Sequence, residues 1–242
     1  MTTARVDKRY LQLYRLHEGM HQKWWKDKSR SNYQADLWMN ETRNDIASKL
    51  LWDFGIADLH VLCVGGGEWP EAALIQRMCW AHATVLDVVH SDYVDMVGDG
   101  CQLPFKTHSF DLVLCREVIE HVPNDDALLS EINRVLQTSG HLFLTTPNGF
   151  NVPPFGSLHI RCYTPFALLL KLADWGFAAR RKTGDVPNIY TALLHNDKVS
   201  DHQAVLSEFM QTQEMIGHGD ELYYTGTHLY VLAQKVRPCE SS

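Results

Sequence analysis

The stretch Val61-Leu62-Cys63-Val64-Gly65-Gly66-Gly67 is a short apolar run that breaks into three glycines. Aliphatic and β-branched residues in such a run are typical of a buried parallel strand. Glycines directly after the strand let the backbone approach a ligand where a Cβ would collide. The next apolar run ends at Leu86-Asp87, and a carboxylate in that position can accept hydrogen bonds from ribose hydroxyls. The two features predict a nucleoside pocket, although a tight turn without a ligand can also be rich in glycine.

The composition predicts one globular domain. The chain has 242 residues, of which 45% are hydrophobic, and this is enough for one substantial core. Its formal net charge is −7, with 22 Lys and Arg against 29 acidic residues, so nucleic acid is not the expected partner. No apolar run approaches the roughly 18 residues of a membrane span, and the first residues lack the apolar stretch of a secretory signal. We expect a cytoplasmic protein that does not enter the membrane.

From residue 59 onward, short apolar runs alternate with amphipathic stretches, which is typical of a parallel sheet with crossover helices. The predicted fold is a doubly wound, mostly parallel α/β sheet of seven strands with helices on both faces. The predicted strands are 60–64, 83–87, 93–97, 110–115, 139–146, 176–183 and 227–235. The predicted helices are 70–79, 125–136 and 164–175.

The segment between Asp87 and Asp99 is short. It leaves too little chain for a strand and a crossover helix of a dozen or more residues. We therefore predict an abbreviated crossover at this point, with a thin pocket wall.

Two appendages flank the predicted core in a single domain of residues 1–242. Residues 1–55 carry Trp and Tyr at roughly helical intervals, which predicts helices packed over the core; the alternative is a lid over a substrate. Residues 186–222 form an insertion between the core, 56–183, and the last strand, 227–236. Its candidate substrate-wall residues are Tyr190, His195 and Met210.

Three further blocks follow the glycines. Gly98-Asp99-Gly100 precedes a Leu-Pro-Phe segment, and its acid can accept a hydrogen bond from an exocyclic amine. The second block, Ser109 to Val122, is a strand that leads into Glu-x-x-Glu-His. The third, Asn133 to Asn148, reads as a helix end, a turn and a strand that begins with Ser139-Gly140-His141.

In this order the blocks resemble those of class I S-adenosylmethionine-dependent methyltransferases, in the branch with Gly-Asp-x-x-x-Leu-Pro-Phe, Ser-Phe-Asp, Glu-x-x-Glu-His and Arg-Val-Leu before Gly. The resemblance spans about residues 59–182, and four ordered blocks are far more specific than any one of them. It implies a Rossmann-like fold with S-adenosylmethionine as the cofactor.

The resemblance also implies roles for individual residues. The glycine turn would hold the methionine and sugar portions of the cofactor, Asp87 the ribose hydroxyls and Asp99 the adenine amine, with Leu103 as a wall for the adenine face. The full set of candidate cofactor-binding residues is Val64, Gly65, Gly66, Gly67, Asp87, Val88, Asp99, Gly100, Leu103, Arg116 and Glu117.

The chain departs from the family pattern in its first block. It has Cys63 where the family usually has an acid, and Trp69 where the family has a glycine. A missing carboxylate weakens recognition of the cofactor's ammonium group, and a Trp near the turn could clash with the cofactor or stack on it. Glu68 is a possible substitute for the missing acid. A degenerate paralogue that binds the cofactor poorly stays open as an alternative.

The candidate catalytic residues are Glu117, Glu120, His121 and His159. On a helix, the first three would fall at i, i+3 and i+4 and share one face. Two carboxylates and an imidazole could hold a divalent cation or act as base and orienting group. The block resembles the metal-binding block of ubiquinone-biosynthesis O-methyltransferases and of small-RNA 2′-O-methyltransferases, and His159 stands where the RNA group has a further histidine ligand. The alternative is that Glu120 and His121 cap or pack a helix start.

The function predicted from sequence is therefore methyl transfer to a small molecule, with oxygen as the favoured acceptor atom, by a monomer or homodimer. Methylation of base amino groups is disfavoured, because Arg116-Glu117-Val118 stands where those enzymes have Asn/Asp-Pro-Pro-aromatic. N- or C-methylation of a natural product or sugar and methylation of RNA or protein stay open. A non-catalytic interaction module also stays open. A dinucleotide-dependent oxidoreductase is a further alternative, but it is disfavoured because Trp69-Pro70 stands at the third glycine position of its fingerprint.

Overall fold

The computed structural model describes residues 33–54, 58–67, 69–150, 159–184 and 226–238. The predicted insertion 186–222, with Tyr190, His195 and Met210, lies outside the described residues, as do Glu68 and the chain before residue 33. Within the described residues, no helix has the length and apolarity that crossing a membrane requires.

The helices are α1 (Tyr33–Leu50), α2 (Trp69–Arg77), α3 (Asp125–Val135) and α4 (Pro165–Asp174), with short 3₁₀ turns at Trp52–Phe54 and Gly100–Gln102. The strands are β1 (His60–Val64), β2 (His82–Asp87), β3 (Met96–Val97), β4 (Phe110–Arg116), β5 (Leu136–Pro147), β6 (Phe177–Gly184) and β7 (His228–Lys235). The seven strands and helices α2, α3 and α4 agree with the predicted elements to within a few residues at each end, whereas no bounds were predicted for α1.

The strands form one seven-stranded sheet in the order β3-β2-β1-β4-β5-β7-β6. Strands β3, β2, β1, β4 and β5 pair in parallel, and β7 is antiparallel to both of its neighbours. The predicted doubly wound, mostly parallel Rossmann-like sheet is confirmed. The chain builds outward from β1 to β3 and then crosses to β4 on the other side of β1. In open α/β sheets, ligands bind in the crevice at such a switch point, outside the carboxyl ends of the strands.

Each face of the sheet buries its own layer of helices, because successive strand residues point to opposite sides. Leu62 and Val64 belong to the cluster that packs under α3 and α4. Val61 and Cys63 belong to the cluster under α1 and α2. Helices on both faces are therefore confirmed, and α1 contributes Ala47 to the second cluster.

Strands β3 and β5 differ most from the prediction. Strand β3 has two residues instead of five, and no helix lies between β2 and β3 among residues 88–95, as the abbreviated crossover required. Helix α3 passes directly into β5, so the turn expected near Ser139 is a bulge inside that strand. Phe110 pairs with Leu136 and Leu112 with His141, and Ser139 has a φ of 62° within the bulge.

Candidate active site

The glycine turn leaves β1 at the switch point. Gly65 has a φ of +77°, which is the left-handed region that side chains rarely adopt, and its N–H donates to the carbonyl of Leu86 at 2.8 Å. A Cβ on Gly65 would also overlap Val118 from the turn after β4. The turn is therefore tied to β2 and packed against β4, and this places its backbone at the mouth of the crevice.

Asp87 ends β2 and supports the same turn. It is 3% exposed; its Oδ2 accepts the N–H of Gly67 at 3.1 Å and its Oδ1 accepts the N–H of Val89 at 3.0 Å. A Cβ on Gly67 would lie 2.8 Å from Oδ2, so the glycine is needed for this close approach. Each carboxylate oxygen accepts more than one hydrogen bond, so the group can still receive a ligand hydroxyl.

Asp99 lies beside Asp87 on the neighbouring strand end. The N–H of Gly98 donates to the carbonyl of Asp87 at 2.8 Å, and Asp99 Oδ1 accepts the N–H of Cys101 at 2.8 Å as the cap of a 3₁₀ turn. Gly100 is buried under α3, where a Cβ would lie 2.8 Å from Leu128 Cδ1. The two acids expected to hold an adenosine are thus on adjacent strand ends.

Two other predicted cofactor residues point into the interior. Val64 and Leu103 belong to the core under α3 and α4, with 2% and 4% of their surface exposed. Val64 offers its backbone to the crevice. The adenine wall assigned to Leu103 stays a prediction, since its side chain packs in this core.

The Glu-x-x-Glu-His block is not helical, and the predicted i, i+3, i+4 face is wrong. Residues 117–121 form a turn after β4, in which the N–H of His121 donates to the carbonyl of Val118 at 2.9 Å. Glu117 has a φ of 53°, a conformation that is costly for a residue with a side chain. The turn separates the two carboxylates of the block instead of aligning them.

Glu117 faces the α1 side of the sheet. Thr145 Oγ1 donates to its Oε1 at 2.7 Å, and His228 Nε2 lies 3.2 Å from its Oε2. Arg43 Nη2 is 3.2 Å from Nδ1 of the same imidazole. Burial works to raise the pKa of Glu117, but His228 and Arg43 outweigh it and hold the pKa well below its usual range. Sequence reasoning missed Arg43 and His228; the signal available for His228 was a polar residue at the start of the last predicted strand.

Glu120 faces the opposite side and is completely buried. Thr146 Oγ1 donates to its Oε2 at 3.0 Å, whereas Oε1 is buried without a hydrogen-bond partner among the described residues. Burial, reinforced by the charge of Glu117, raises the pKa of Glu120 well above its usual range. The carboxylate therefore lacks the compensation that a buried charge needs.

His121 and His159 complete this second cluster. Their rings are 4.8 Å apart between centroids, and the N–H of Ile160 donates to the carbonyl of Glu120 at 3.0 Å, which ties the segment after residue 158 to the turn. The potential ligand atoms of Glu120, His121 and His159 all lie within 4.8 Å of one another. The structure thus brings together three of the four predicted catalytic residues. Glu117 belongs to the cluster on the other side.

Arg116, the last residue of β4, forms a buried ion pair. Its Nη1 donates to Glu71 Oε2 at 3.0 Å and to Asn44 Oδ1 at 3.2 Å. Cys63, which stands in place of the usual acid, is 1% exposed; burial and then the nearby Glu71 carboxylate raise the pKa of its thiol well above the ordinary value. A carboxylate from α2 is therefore close enough to act electrostatically on the position where β1 lacks one.

Comparison with known proteins relates this core to methyltransferases. Residues 62–144 match the protein-family model described as a methyltransferase domain. A ubiquinone biosynthesis O-methyltransferase of Xanthomonas oryzae pv. oryzae (strain PXO99A) is 46% identical over 121 residues, covering 46% of this chain and 51% of that protein. The ubiquinone/menaquinone biosynthesis C-methyltransferase UbiE of Bartonella bacilliformis is 31% identical over 150 residues, covering 54% and 52%. The chain spans about half the length of the curated relatives it matches.

A solved structure with the same fold covers nearly the whole chain. It is the 1,6-didemethyltoxoflavin-N1-methyltransferase of Burkholderia thailandensis, solved with 1,6-didemethyltoxoflavin and S-adenosylhomocysteine bound; it is 15% identical, covers 98% of this chain and 94% of its own, and has a TM-score of 0.58. At this identity the similarity shows the fold.

Proposed function

We propose that this protein is an S-adenosylmethionine-dependent methyltransferase that acts on a hydroxyl group of a small molecule. The observation that carries the proposal is the pair of acids Asp87 and Asp99 on adjacent strand ends beside the glycine turn, within the segment that matches a methyltransferase domain. An oxidoreductase would use the same crevice, but the sequence matches favour methyl transfer.

In this proposal Asp87 accepts hydrogen bonds from the ribose hydroxyls, and Asp99 accepts one from the adenine amine. The backbone of the glycine turn approaches the sugar and the methionine portion, with Val88 and Gly100 beside them. A sulfonium donor is already strongly electrophilic, so the protein contributes alignment, exclusion of water and removal of a proton from the acceptor. These tasks fall to the residues after β4, which lie at the same edge of the sheet.

We assign the proton-removing role to the cluster of Glu120, His121 and His159. The imidazole of His121, whose side chain is 12% exposed, lies 3.9 Å from the carboxyl group of Glu120, and a carboxyl group beside an imidazole orients the ring. This pairing allows His121 to take a proton from an acceptor hydroxyl.

The same cluster fits a divalent cation. Two imidazoles and a carboxylate within 4.8 Å are a donor set that suits transition metals, and Oε1 of Glu120 is buried without a hydrogen-bond partner among the described residues. When bound, the cation would lower the pKa of an acceptor hydroxyl. Glu117, included in the sequence-based metal set, would stay with His228.

C-methylation is the second candidate function. It is favoured by the matching C-methyltransferase relative, whereas the other relative named above transfers the methyl group to oxygen. A cytoplasmic location, the monomeric or homodimeric state and a single domain over residues 1–242 remain predictions.

The proposal is tested with the purified protein, S-adenosylmethionine carrying a labelled methyl group, and a panel of phenols, catechols and carbon nucleophiles. Label in the product, located by NMR on oxygen, supports the proposal, and a C–CH₃ product supports the second candidate. Failure of S-adenosylhomocysteine to bind in calorimetry at millimolar concentration contradicts both.

The metal is tested by elemental analysis of the protein and by the variants His121→Ala and His159→Ala. We expect one equivalent of a divalent metal in the parent protein, loss of metal in both variants, and inhibition by a chelator that added metal reverses. The exposed His82, at the amino end of β2, provides the control variant His82→Ala. Full activity of His121→Ala, with no effect of chelator, would remove both the metal and the base roles.

A further inference from the structure

Three buried donor groups in the α1–β4 contact lack an acceptor. Asn40 and Asn44 lie one turn apart on α1 and are 7% and 1% exposed, and Arg116 is 7% exposed. The two Nδ2 groups and Arg116 Nε have no hydrogen-bond partner in the part of the chain that the structure describes. A buried donor without an acceptor loses its hydrogen bonds to water and gains none in return, which destabilises the folded protein. A bound ligand that carries acceptor oxygens would remove this cost.

The three donors lie beside the glycine turn. Val64 pairs with Cys115, so Arg116, one residue further along β4, is level with Gly65. Leu112 and Leu114, which share the face of Arg116, pack under α1 and α2. The donors therefore border the crevice on its α1 side, away from the cluster of Glu120, His121 and His159.

The chemistry of these donors fits a carboxylate. The unpartnered groups are all N–H donors, one of a guanidinium and two of amides, and the carbonyl oxygen of Asn44 already accepts from Arg116 Nη1 at 3.2 Å. Charge-assisted hydrogen bonds from a guanidinium to a carboxylate are among the strongest that proteins use. Glu71 holds Arg116 Nη1 at 3.0 Å and so fixes the orientation of the guanidinium.

Glu71 adds a negative charge at the position where the first block lacks one. Its side chain is 11% exposed, and its charge acts on the thiols of both Cys63 and Cys115. A buried ion pair is weak evidence for stability, because the desolvation of both charges opposes their attraction. Its presence beside unpaired donors is better explained by a ligand that has charges of both signs.

We propose that Arg116, Asn44 and Asn40 bind the carboxylate at the amino-acid end of the methyl donor, and that Glu71 faces its ammonium group in place of the acid missing at Cys63. This inference rests on the proposed function, because it takes the donor to be S-adenosylmethionine. It makes Asn40, Asn44 and Glu71 cofactor-binding residues that the sequence blocks did not identify.

The inference is tested by calorimetry with three ligands that differ only at the amino-acid end. These are S-adenosylhomocysteine, S-adenosyl-3-thiopropylamine, which lacks the carboxylate, and 5′-methylthioadenosine, which lacks the whole amino-acid end. We expect the parent protein to bind S-adenosylhomocysteine at least about 10-fold more tightly than the amine. This comparison needs no substitution, so it does not depend on a variant that folds.

Substitutions then assign the effect to residues. Asn44→Asp should weaken S-adenosylhomocysteine binding about 10- to 100-fold and leave 5′-methylthioadenosine unchanged. Glu71→Gln should weaken binding of the amine, which keeps the ammonium group, without affecting 5′-methylthioadenosine. The matched control is Asp45→Asn, next to Asn44 but 61% exposed at its side chain, for which we expect no change with any ligand.

Equal affinity of the parent protein for all three ligands would overturn the inference and leave the proposed function intact. So would Asn44→Asp if it weakened 5′-methylthioadenosine as strongly as S-adenosylhomocysteine. If a carboxylate of the acceptor occupied the site instead, Asn44→Asp would raise the KM for the acceptor and leave S-adenosylhomocysteine binding unchanged, which also overturns it. Binding of none of the three ligands would contradict the proposed function and the inference together.

Discussion

The carboxylate of Glu117 lies 3.2 Å from the imidazole of His228, although the two residues belong to the ends of strands that β5 separates in the sheet. Thr145 of β5 bridges the gap by donating to the same carboxylate at 2.7 Å. Glu117 also has a left-handed backbone with a φ of 53°, which costs of order 1–3 kcal/mol. The strain and the contacts together hold one carboxylate in a fixed position at the crevice.

We expect His228→Asn to lower kcat by about 10-fold or more, because Glu117 loses a charge-assisted contact that fixes its position. Steady-state kinetics on the acceptor found in the methyl-transfer assay provide the measurement. The control is His82→Asn, which changes an exposed histidine at the amino end of β2 and should leave kcat unchanged. An unaltered kcat in His228→Asn would show that the pair has no role in turnover.

Glu120→Gln should make the chelator-treated protein more stable at pH 8 and not at pH 4. Burial and the charge of Glu117 raise the pKa of Glu120 in the folded state above its ordinary value of 4.5, so the folded protein holds this proton more tightly than the unfolded chain. The contribution of Glu120 to stability is then fully present below pH 4.5 and is lost as the pH rises toward the raised value. Urea unfolding at the two pH values measures it, and an equal effect at both would contradict the assignment.

Asp87→Ala should reduce the affinity for S-adenosylhomocysteine about 10- to 100-fold, since it removes the acceptor of the ribose hydroxyls and the anchor of Gly67. Asp111→Ala is the matched control: Asp111 Oδ2 also accepts a backbone N–H, that of His60 at 2.9 Å, but at the amino end of the sheet. Calorimetry on both variants separates the loss of a contact with the ligand from the loss of a hydrogen bond that only supports a strand. Equal loss in the two variants would count against a ribose contact.

Gly65→Ala is expected to destabilise the protein in two ways. A left-handed backbone costs a residue with a side chain about 1–2 kcal/mol, and the new Cβ overlaps Val118, which adds about 1–3 kcal/mol of crowding. The double variant Gly65→Ala, Val118→Ala should recover the crowding part and keep the backbone part. Chemical denaturation gives the free energy of unfolding of Gly65→Ala, of the double variant and of Val118→Ala alone. If the double variant recovered nothing, Val118 would not be the obstacle.

The strands and most helices could be predicted because burial sets their sequence periodicity. The core strands β1 and β4 are apolar along almost their whole length, since both faces are covered. The bulge near Ser139 could not be predicted, because a polar, glycine-containing stretch is equally typical of a turn between a helix and a strand. Its strand character depends on pairing with β4, which is a tertiary effect.

The candidate site was predicted in part. The roles of Asp87 and Asp99 follow from their places after strands, and both lie at the expected edge. The helix proposed for Glu117 and Glu120 was wrong, because the spacing of charged residues does not reveal a left-handed residue that breaks the helix. His228 and Asn44 come from distant parts of the chain, and one sequence has no local pattern that could bring them to β4.

Thr145 and Thr146 are consecutive, and their hydroxyls donate to carboxylates on opposite faces of β5. Thr145 pairs with Tyr230 of the α1–α2 core, and Thr146 pairs with Leu229 of the α3–α4 core. A deletion of one residue between His141 and Thr145 would turn each of the two hydroxyls to the other face of the sheet. Both carboxylates would then lose their donors, and both sides of the crevice would be disturbed at once. The same deletion between Gln137 and Gly140 can be absorbed by the bulge. In related chains, length variation should therefore accumulate at the amino end of this strand, while its carboxyl half keeps a constant length.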